Sequence, residues 1–192
     1  MFSRKFVIAD PGKCIGCKTC MAACLHRHDI EGDVALPRLQ LVTTRTVSAP
    51  VGCHHCVDAP CVEACPTGCL YSDDERVGVR KEKCIGCRMC MAACPYNARV
   101  FNWNEPVRDP DFNYGDKDVP VRGKGVVEKC SLCKERTDRG DEPMCVRCCL
   151  SKARTFGDLD DPDSEISRVV RERKAGVLLE EQGTRPQVRY FN

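Results

Sequence analysis

The chain has 192 residues, and its 30 Lys and Arg residues nearly balance its 28 Asp and Glu residues, so no strongly basic surface for nucleic-acid binding is expected. We expect no transmembrane segment and no secretory signal, because no apolar run has the necessary length and the first ten residues lack an apolar segment with a cleavage site. The 18 cysteines are therefore expected to bind metal in a reducing cytoplasm rather than to form disulfides.

Sixteen of the cysteines form four groups of four, with short predicted elements between them. Residues 6–8 are β-prone and precede the first group, and alternating apolar residues predict a strand over 39–42. A turn signal separates residues 70–71 from 77–79, which predicts a hairpin between the second and third groups. The four groups are, in chain order, Cys14, Cys17, Cys20 and Cys24; Cys53, Cys56, Cys61 and Cys65; Cys84, Cys87, Cys90 and Cys94; and Cys130, Cys133, Cys145 and Cys149.

The segments around the fourth group are less regular. Residues 103–125 are rich in Pro, Gly, Asp and Asn, which predicts a surface excursion; a loop that docks a partner is the alternative. Further on, Asp163 or Ser164 can cap a helix over 165–174. We expect residues 185–192 to form an extended tail that wraps the domain or a partner.

The first and third groups share the spacing C-x2-C-x2-C-x3-C, and the twelve-residue segments that contain them match at ten positions. This is the spacing of bacterial ferredoxins, in which three thiolates hold one [4Fe–4S] cluster and the fourth ligates another. Gly16 and Gly86 lie inside the runs, where they let the backbone turn tightly around a cluster. A structural zinc site is the alternative, but zinc sites usually use C-x2-C pairs separated by a longer loop.

If the fourth cysteine of each group ligates the neighbouring cluster, the sixteen cysteines form four iron sites with four cysteine ligands each. Because such sites have no open iron position, we predict no catalytic residue. The second and third groups form an inner module, and the first and fourth groups form an outer module. Cys69 and Cys148 are left over and are expected to be structural, as buried free cysteines commonly are. The predicted iron ligands are Cys14, Cys17, Cys20 and Cys149 for cluster 1; Cys65, Cys84, Cys87 and Cys90 for cluster 2; Cys53, Cys56, Cys61 and Cys94 for cluster 3; and Cys24, Cys130, Cys133 and Cys145 for cluster 4.

The predicted fold class is α+β, with two ferredoxin-like two-cluster modules, short hairpins, short helices and long loops. The inner module is inserted in the outer one. The predicted divisions are 1–50 for the first part of the outer module, 51–102 for the inner module, 103–125 for the loop excursion, 126–157 for the second part of the outer module, and 158–192 for the C-terminal helix and extended tail.

These motifs resemble the iron–sulfur subunits of molybdopterin oxidoreductases, including those of dimethyl-sulfoxide reductase, polysulfide reductase and formate dehydrogenase. The opening FVIAD with the first cysteine group, and CHHC at 53–56, are similar to the small subunits of formate hydrogenlyase and hydrogenase-linked systems. TFGDLDDP at 155–162 is similar to the polysulfide- and dimethyl-sulfoxide-reductase branch. The chain departs from the family at Leu150. The family commonly has proline directly after the last cysteine of the fourth group, where this chain has Leu150 after Cys149.

The resemblance implies an electron-transfer subunit with four [4Fe–4S] clusters. It would relay single electrons between a large molybdenum- or tungsten-pterin catalytic subunit and a redox partner, which can be a membrane anchor subunit. The subunit itself would not be an enzyme, since the sequence has neither a dinucleotide fingerprint nor a P-loop. It is expected in the cytoplasm, with membrane association or twin-arginine export only through a partner. A polyferredoxin or hydrogenase-linked carrier with no pterin enzyme is the alternative function.

Overall fold

The computed structural model describes residues 5–28, 38–73, 76–105, 119 and 122–191. The elements are short, as expected where loops must bring ligands together. The strands are β1 Lys5–Ala9, β2 Leu39–Thr43, β3 Ser48–Gly52, β4 Leu70–Ser72, β5 Val77–Val79, β6 Val100–Phe101, β7 Val127–Glu128, β8 Arg154–Asp158, β9 Ala175–Gly176 and β10 Val188–Phe191. The helices are α1 Thr19–Arg27, α2 Pro60–Glu63, α3 Met89–Ala92, α4 Lys134–Thr137, α5 Met144–Arg147 and α6 Glu165–Glu172, with 3-10 turns at Lys81–Lys83 and Glu180–Gln182.

The largest sheet has four strands in the order β8-β1-β10-β9. β1 pairs antiparallel with β8 and parallel with β10, so that Val7 lies opposite Phe156 on one side and Val188 on the other. Side chains alternate across a strand, and both faces of β1 are covered. Val7 packs beside Leu132 on one face, and Ile8 packs against α6 on the other. This double burial explains why the first strand is a continuous apolar run.

Three two-stranded sheets complete the strands of the described residues. β2 and β3 form a hairpin that precedes the second cysteine group, and β4 and β5 form the hairpin predicted from the turn signal. β6 pairs with β7, with Val100 opposite Glu128. This last pair brings the chain after the third group back to the start of the fourth group.

The predicted elements are confirmed where the signal was local. Residues 6–8 lie in β1, residues 39–42 lie in β2, and the C-terminal helix is α6, capped by the hydroxyl of Ser164, which accepts a hydrogen bond from the Ser167 N–H. The helix ends before Arg173, whose backbone is extended with φ −136°. Most of the excursion predicted over 103–125 lies outside the described residues.

The C-terminal tail is extended, as predicted, and it is part of the domain. β10 supplies an interior strand of the main sheet, and the Tyr190 hydroxyl donates to the Pro50 carbonyl at 3.0 Å. Among the described residues, no helix is long and apolar enough to cross a membrane.

Candidate iron–sulfur sites

The repeat in sequence is also a repeat in backbone conformation. Gly16 and Gly86 have φ values of 71° and 70°, and Lys18 and Arg88 follow with 60° and 61°. In both runs the first two cysteines lie on a loop, and the third lies within the first turn of a helix, α1 or α3. A Cβ added at Gly86 would lie 2.7 Å from the carbonyl oxygen of Gly125, so this turn requires glycine for space as well as for its positive φ.

The fourth cysteine of each run shows what the missing proline changes. α3 stops at Ala92, shortly before Cys94-Pro95, because a residue before proline disfavours helical conformation. Leu25 takes the corresponding place in the first run, and α1 continues to Arg27. Cys24 therefore lies within a helix, whereas Cys94 lies beyond one.

The cysteines predicted for cluster 3 lie together. Burial raises the pKa of the Cys56 thiol, and the neighbouring thiols of Cys53, Cys61 and Cys94 also raise it. A hydrogen bond with Thr184 opposes them, and the resulting pKa is about 11. Neighbouring thiols resist becoming thiolates together, because like charges in a buried site repel. A bound cation removes that conflict, and an iron–sulfur core supplies one.

The cysteines predicted for cluster 2 line a common cavity. It is bordered by Cys65, Cys84, Cys87 and Cys90, together with the unassigned Cys69. Cys69 is only 4% exposed, and burial together with the thiols of Cys84, Cys65 and Cys90 raises its pKa to about 12. Cys69 is thus buried as the sequence predicted, but it lies within the cysteine set rather than apart from it.

The cysteines predicted for cluster 4 line a second cavity. Cys24, Cys130, Cys133 and Cys145 all border it. Burial raises the pKa of Cys24 well above its usual value, and the thiols of Cys130, Cys145 and Cys133 contribute in the same direction. α1 therefore places its last cysteine beside the cysteines of the fourth group.

The set predicted for cluster 1 is drawn together by α1 and α5. Cys20 interacts electrostatically with Cys14 and with Cys145. Cys148 interacts with Cys20 and with Cys149, which places the end of the fourth group beside the first run. The Cys149 sulfur accepts a hydrogen bond from the Ala153 N–H at 3.3 Å.

Three cations close to the cysteines were missed by sequence reasoning. Arg99 and Lys129 are 5% and 4% exposed, and Arg154 lines the cavity of the cluster 4 cysteines. For the two arginines the available signal was a shared motif, Cys-x3-Ala-Arg-x-Phe, which begins at Cys94 and again at Cys149. Residue type alone does not predict that these side chains are buried, because Lys and Arg are usually exposed.

The donor set fits [4Fe–4S] clusters. The donors are cysteine thiols, gathered in four groups with positively charged side chains nearby. Thiolates are the usual ligands of [4Fe–4S] clusters. No three Cys, His, Asp or Glu side chains in the described part of the chain are arranged to hold a single metal ion. A cluster differs from a single ion, since its four thiolates bind separate iron atoms.

Known proteins share these features. Residues 44–109 and 118–159 match a family described as 4Fe-4S dicluster domain, and residues 83–138 match a second family of the same description. A solved chain from the active site complex BamBC of benzoyl coenzyme A reductase aligns with 88% of this chain and 86% of its own length, at 21% identity and a TM-score of 0.39, which is too distant to bear on function.

Three relatives are matched over most of their own length. A protein of Halobacterium salinarum that is named as a dimethyl sulfoxide reductase iron–sulfur subunit is 41% identical, over 97% of this chain and 78% of that protein. The arsenate respiratory reductase iron–sulfur subunit ArrB of Shewanella sp. ANA-3 is 34% identical, over 96% of this chain and 94% of that protein. The electron transport protein HydN of Escherichia coli K12 is 38% identical, over 78% of this chain and 85% of that protein. The chain therefore belongs to the 4Fe–4S dicluster family of iron–sulfur subunits, and its function is electron transfer.

Proposed function

We propose that this subunit holds four [4Fe–4S] clusters and connects a large molybdenum- or tungsten-pterin catalytic subunit to a second redox partner. The observation that carries the proposal is the grouping of sixteen cysteines into four neighbouring sets. The relatives named as reductase iron–sulfur subunits support the catalytic partner.

The proposed ligands are those predicted from the spacing. Shared cavities support the sets of clusters 2 and 4, and electrostatic interactions between thiols support the sets of clusters 3 and 4. The set of cluster 1 is supported by the interaction of Cys14 with Cys20 and by the position of Cys148 and Cys149 beside Cys20. On this assignment the inner module is inserted in the outer one, within the predicted divisions of the chain.

Electrostatic interactions between the sets suggest their order. Cys20 of cluster 1 interacts with Cys145 of cluster 4, and Cys130 of cluster 4 interacts with Cys53 of cluster 3. Cys61 of cluster 3 interacts with Cys90 of cluster 2. These interactions favour a linear sequence of sites, 1-4-3-2.

The two ends of this sequence are the accessible ones. Cys17 of cluster 1 and Cys87 of cluster 2 are exposed, and they are the only exposed cysteines of the described residues. Ile15 and Ile85, which precede them by two residues, are 67% and 68% exposed. We propose that the partners approach these ends, where the distance through protein to a cluster is shortest.

The chain's own residues bind the clusters, exclude water and fix the spacing of the sites. Four thiolates would close each cluster to substrate, so that it supplies only one-electron transfer when bound. Buried residues such as Leu132 and Val127 pack around the inner cysteines of the sequence. The subunit is therefore proposed to be non-catalytic, to bind no nucleic acid, and to reach a membrane or an exported complex only through a partner.

A second candidate function is a stand-alone or hydrogenase-linked electron carrier. The likeness to HydN, an electron transport protein, favours it. Both candidates use the same cysteine sets, so they differ only in the partner.

The test begins with iron, acid-labile sulfide and zinc, measured per chain on protein purified without oxygen. About sixteen iron and sixteen sulfide with negligible zinc are expected for four clusters. About eight of each would mean that only one module is filled, and zinc without sulfide would overturn the proposal. Co-purification with a large subunit that contains pterin then separates the two electron-transfer functions.

A further inference from the structure

An arginine follows the last cysteine of each module at the same distance. The segments CPYNARVF at 94–101 and CLSKARTF at 149–156 both place it five residues after a cysteine. The second cysteine group, which has the same C-P start at Cys65, has Leu70 at this position. Each module therefore contains one such arginine, Arg99 or Arg154.

Arg99 lies between the two cysteine sets of the inner module. Its Nη2 donates a hydrogen bond to the Cys61 sulfur at 2.5 Å. Burial lowers the pKa of Arg99, but the thiolates of Cys53, Cys61 and Cys90 outweigh this and leave the pKa raised. Cys61 belongs to the predicted cluster 3 set and Cys90 to the cluster 2 set, so one guanidinium faces both.

Arg154 occupies the equivalent position in the outer module. It lines the cavity of the cluster 4 cysteines. Burial lowers its pKa, and the thiolates of Cys145 and Cys20 again outweigh that effect. In both modules the arginine interacts electrostatically with the third cysteine of each cysteine group: Cys61 and Cys90 in one module, Cys20 and Cys145 in the other.

Neither arginine forms an ion pair with a carboxylate of the described residues. The Nε and Nη1 atoms of both are buried without a hydrogen-bond partner. A buried charge without a counter-charge is costly. The compensating negative charge must then come from the cysteine sets themselves, which carry about −2 with an oxidised cluster bound.

We propose that Arg99 and Arg154 tune reduction potentials. The positive charge of each arginine would favour the reduced state of the two clusters beside it. One added electron takes a four-thiolate cluster from about −2 to about −3, and nearby charge and hydrogen bonds to sulfur set its potential. In the complex the electron comes from whichever of the two partners acts as the donor, and in a titration it comes from a mediator at controlled potential. The inference rests on the proposed four-cluster assignment.

The test is a potentiometric titration of the full, cluster-loaded chain, followed by electron paramagnetic resonance. Arg99→Gln is expected to lower the equilibrium constant for reduction at least tenfold, about 59 mV for one electron, at two clusters and to leave the other two unchanged. Arg154→Gln is expected to affect the complementary pair. Arg80→Gln and Arg168→Gln, at exposed arginines, are the matched controls and should leave all four clusters unchanged.

Charge is separated from packing by Arg99→Lys and Arg154→Lys. With iron and sulfide retained, each lysine variant is expected to keep its two clusters within about threefold of the wild-type constant, since the positive charge is kept. Unchanged potentials in a glutamine variant with full iron, or a tenfold loss in the lysine variant, would overturn the proposal. Iron loss in both the glutamine and lysine variants would also overturn it, because the residue would then be structural. An iron count below four clusters in the unmodified chain would instead refute the proposed function.

Discussion

The carboxylate of Glu128 is 2% exposed and is surrounded by cations from three separate parts of the chain. Its oxygens lie 3.2 Å from Arg38, 2.9 Å from Lys81 and 3.0 Å from Arg122. Burial alone would raise the pKa of Glu128, but the cations lower it from 4.5 to about 2. The charged carboxylate is therefore stabilised in the folded protein relative to the unfolded chain.

Glu128→Gln removes this stabilisation at nearly constant volume. One pKa unit corresponds to about 1.4 kcal/mol, so a depression from 4.5 to about 2 predicts a loss of about 3 kcal/mol at pH 7. The substitution also leaves the side chains of Arg38 and Arg122, 6% and 5% exposed, without this carboxylate. Because the folded-state pKa is depressed, the contribution is fully present above pH 4.5 and is lost as the pH falls toward 2.

The assay is thermal unfolding of cluster-loaded protein without oxygen, followed by circular dichroism. For a chain of this size about 3 kcal/mol corresponds to a fall in Tm of about 6–12 °C. Glu63→Gln, at an exposed glutamate of α2, is the control and should change Tm little. A fall at pH 7 no larger than that of the control would refute the reasoning. So would a difference between Glu128→Gln and wild type that does not shrink below pH 4.5.

Three further predictions concern the cysteine sets and their frame. Cys87→Ser should reduce iron by about four per chain while Cys148→Ser leaves it unchanged; equal loss would contradict the ligand partition. Gly86→Ala should lower iron retention and Tm more than Gly16→Ala, because the added Cβ meets a backbone oxygen at 2.7 Å rather than a serine hydroxyl at 3.1 Å; equal effects would show that space is not limiting. Ser164→Ala should cost about 1 kcal/mol by removing the cap of α6, seen as a fall in Tm of about 2–4 °C; an unchanged Tm would show that the cap contributes nothing.

Local patterns were sufficient to predict the elements whose signals are local. The hairpin of β4 and β5 follows from one turn flanked by apolar residues, and α6 follows from its cap and apolar face. The main sheet was not predictable in this way. β1 and β10 are far apart in sequence and pair in parallel, so neither strand contains a signal for the other.

For the cysteine sets, too, the local part was predictable from the sequence and the long-range part was not. Ligand spacing is a local constraint, since three closely spaced thiols must reach one cluster. The neighbours of the sets are long-range and were missed. From the sequence, Cys69 is interpreted as a small structural residue, and only the cavity shows that it lies beside Cys84. Arg99 would be expected at the surface, and only the structure shows that it is buried.

The parallel pairing of β1 with β10 affects how the protein is made. Residues 5–9 leave the ribosome well before residues 188–191, which complete that side of β1. Throughout synthesis of the intervening chain, one edge of an apolar strand has no native neighbour, and such edges invite pairing with other chains. The inner cysteine groups are complete long before that edge is covered. A nascent chain is therefore most vulnerable to aggregation in its outer part, and premature termination before residue 188 would make that state permanent.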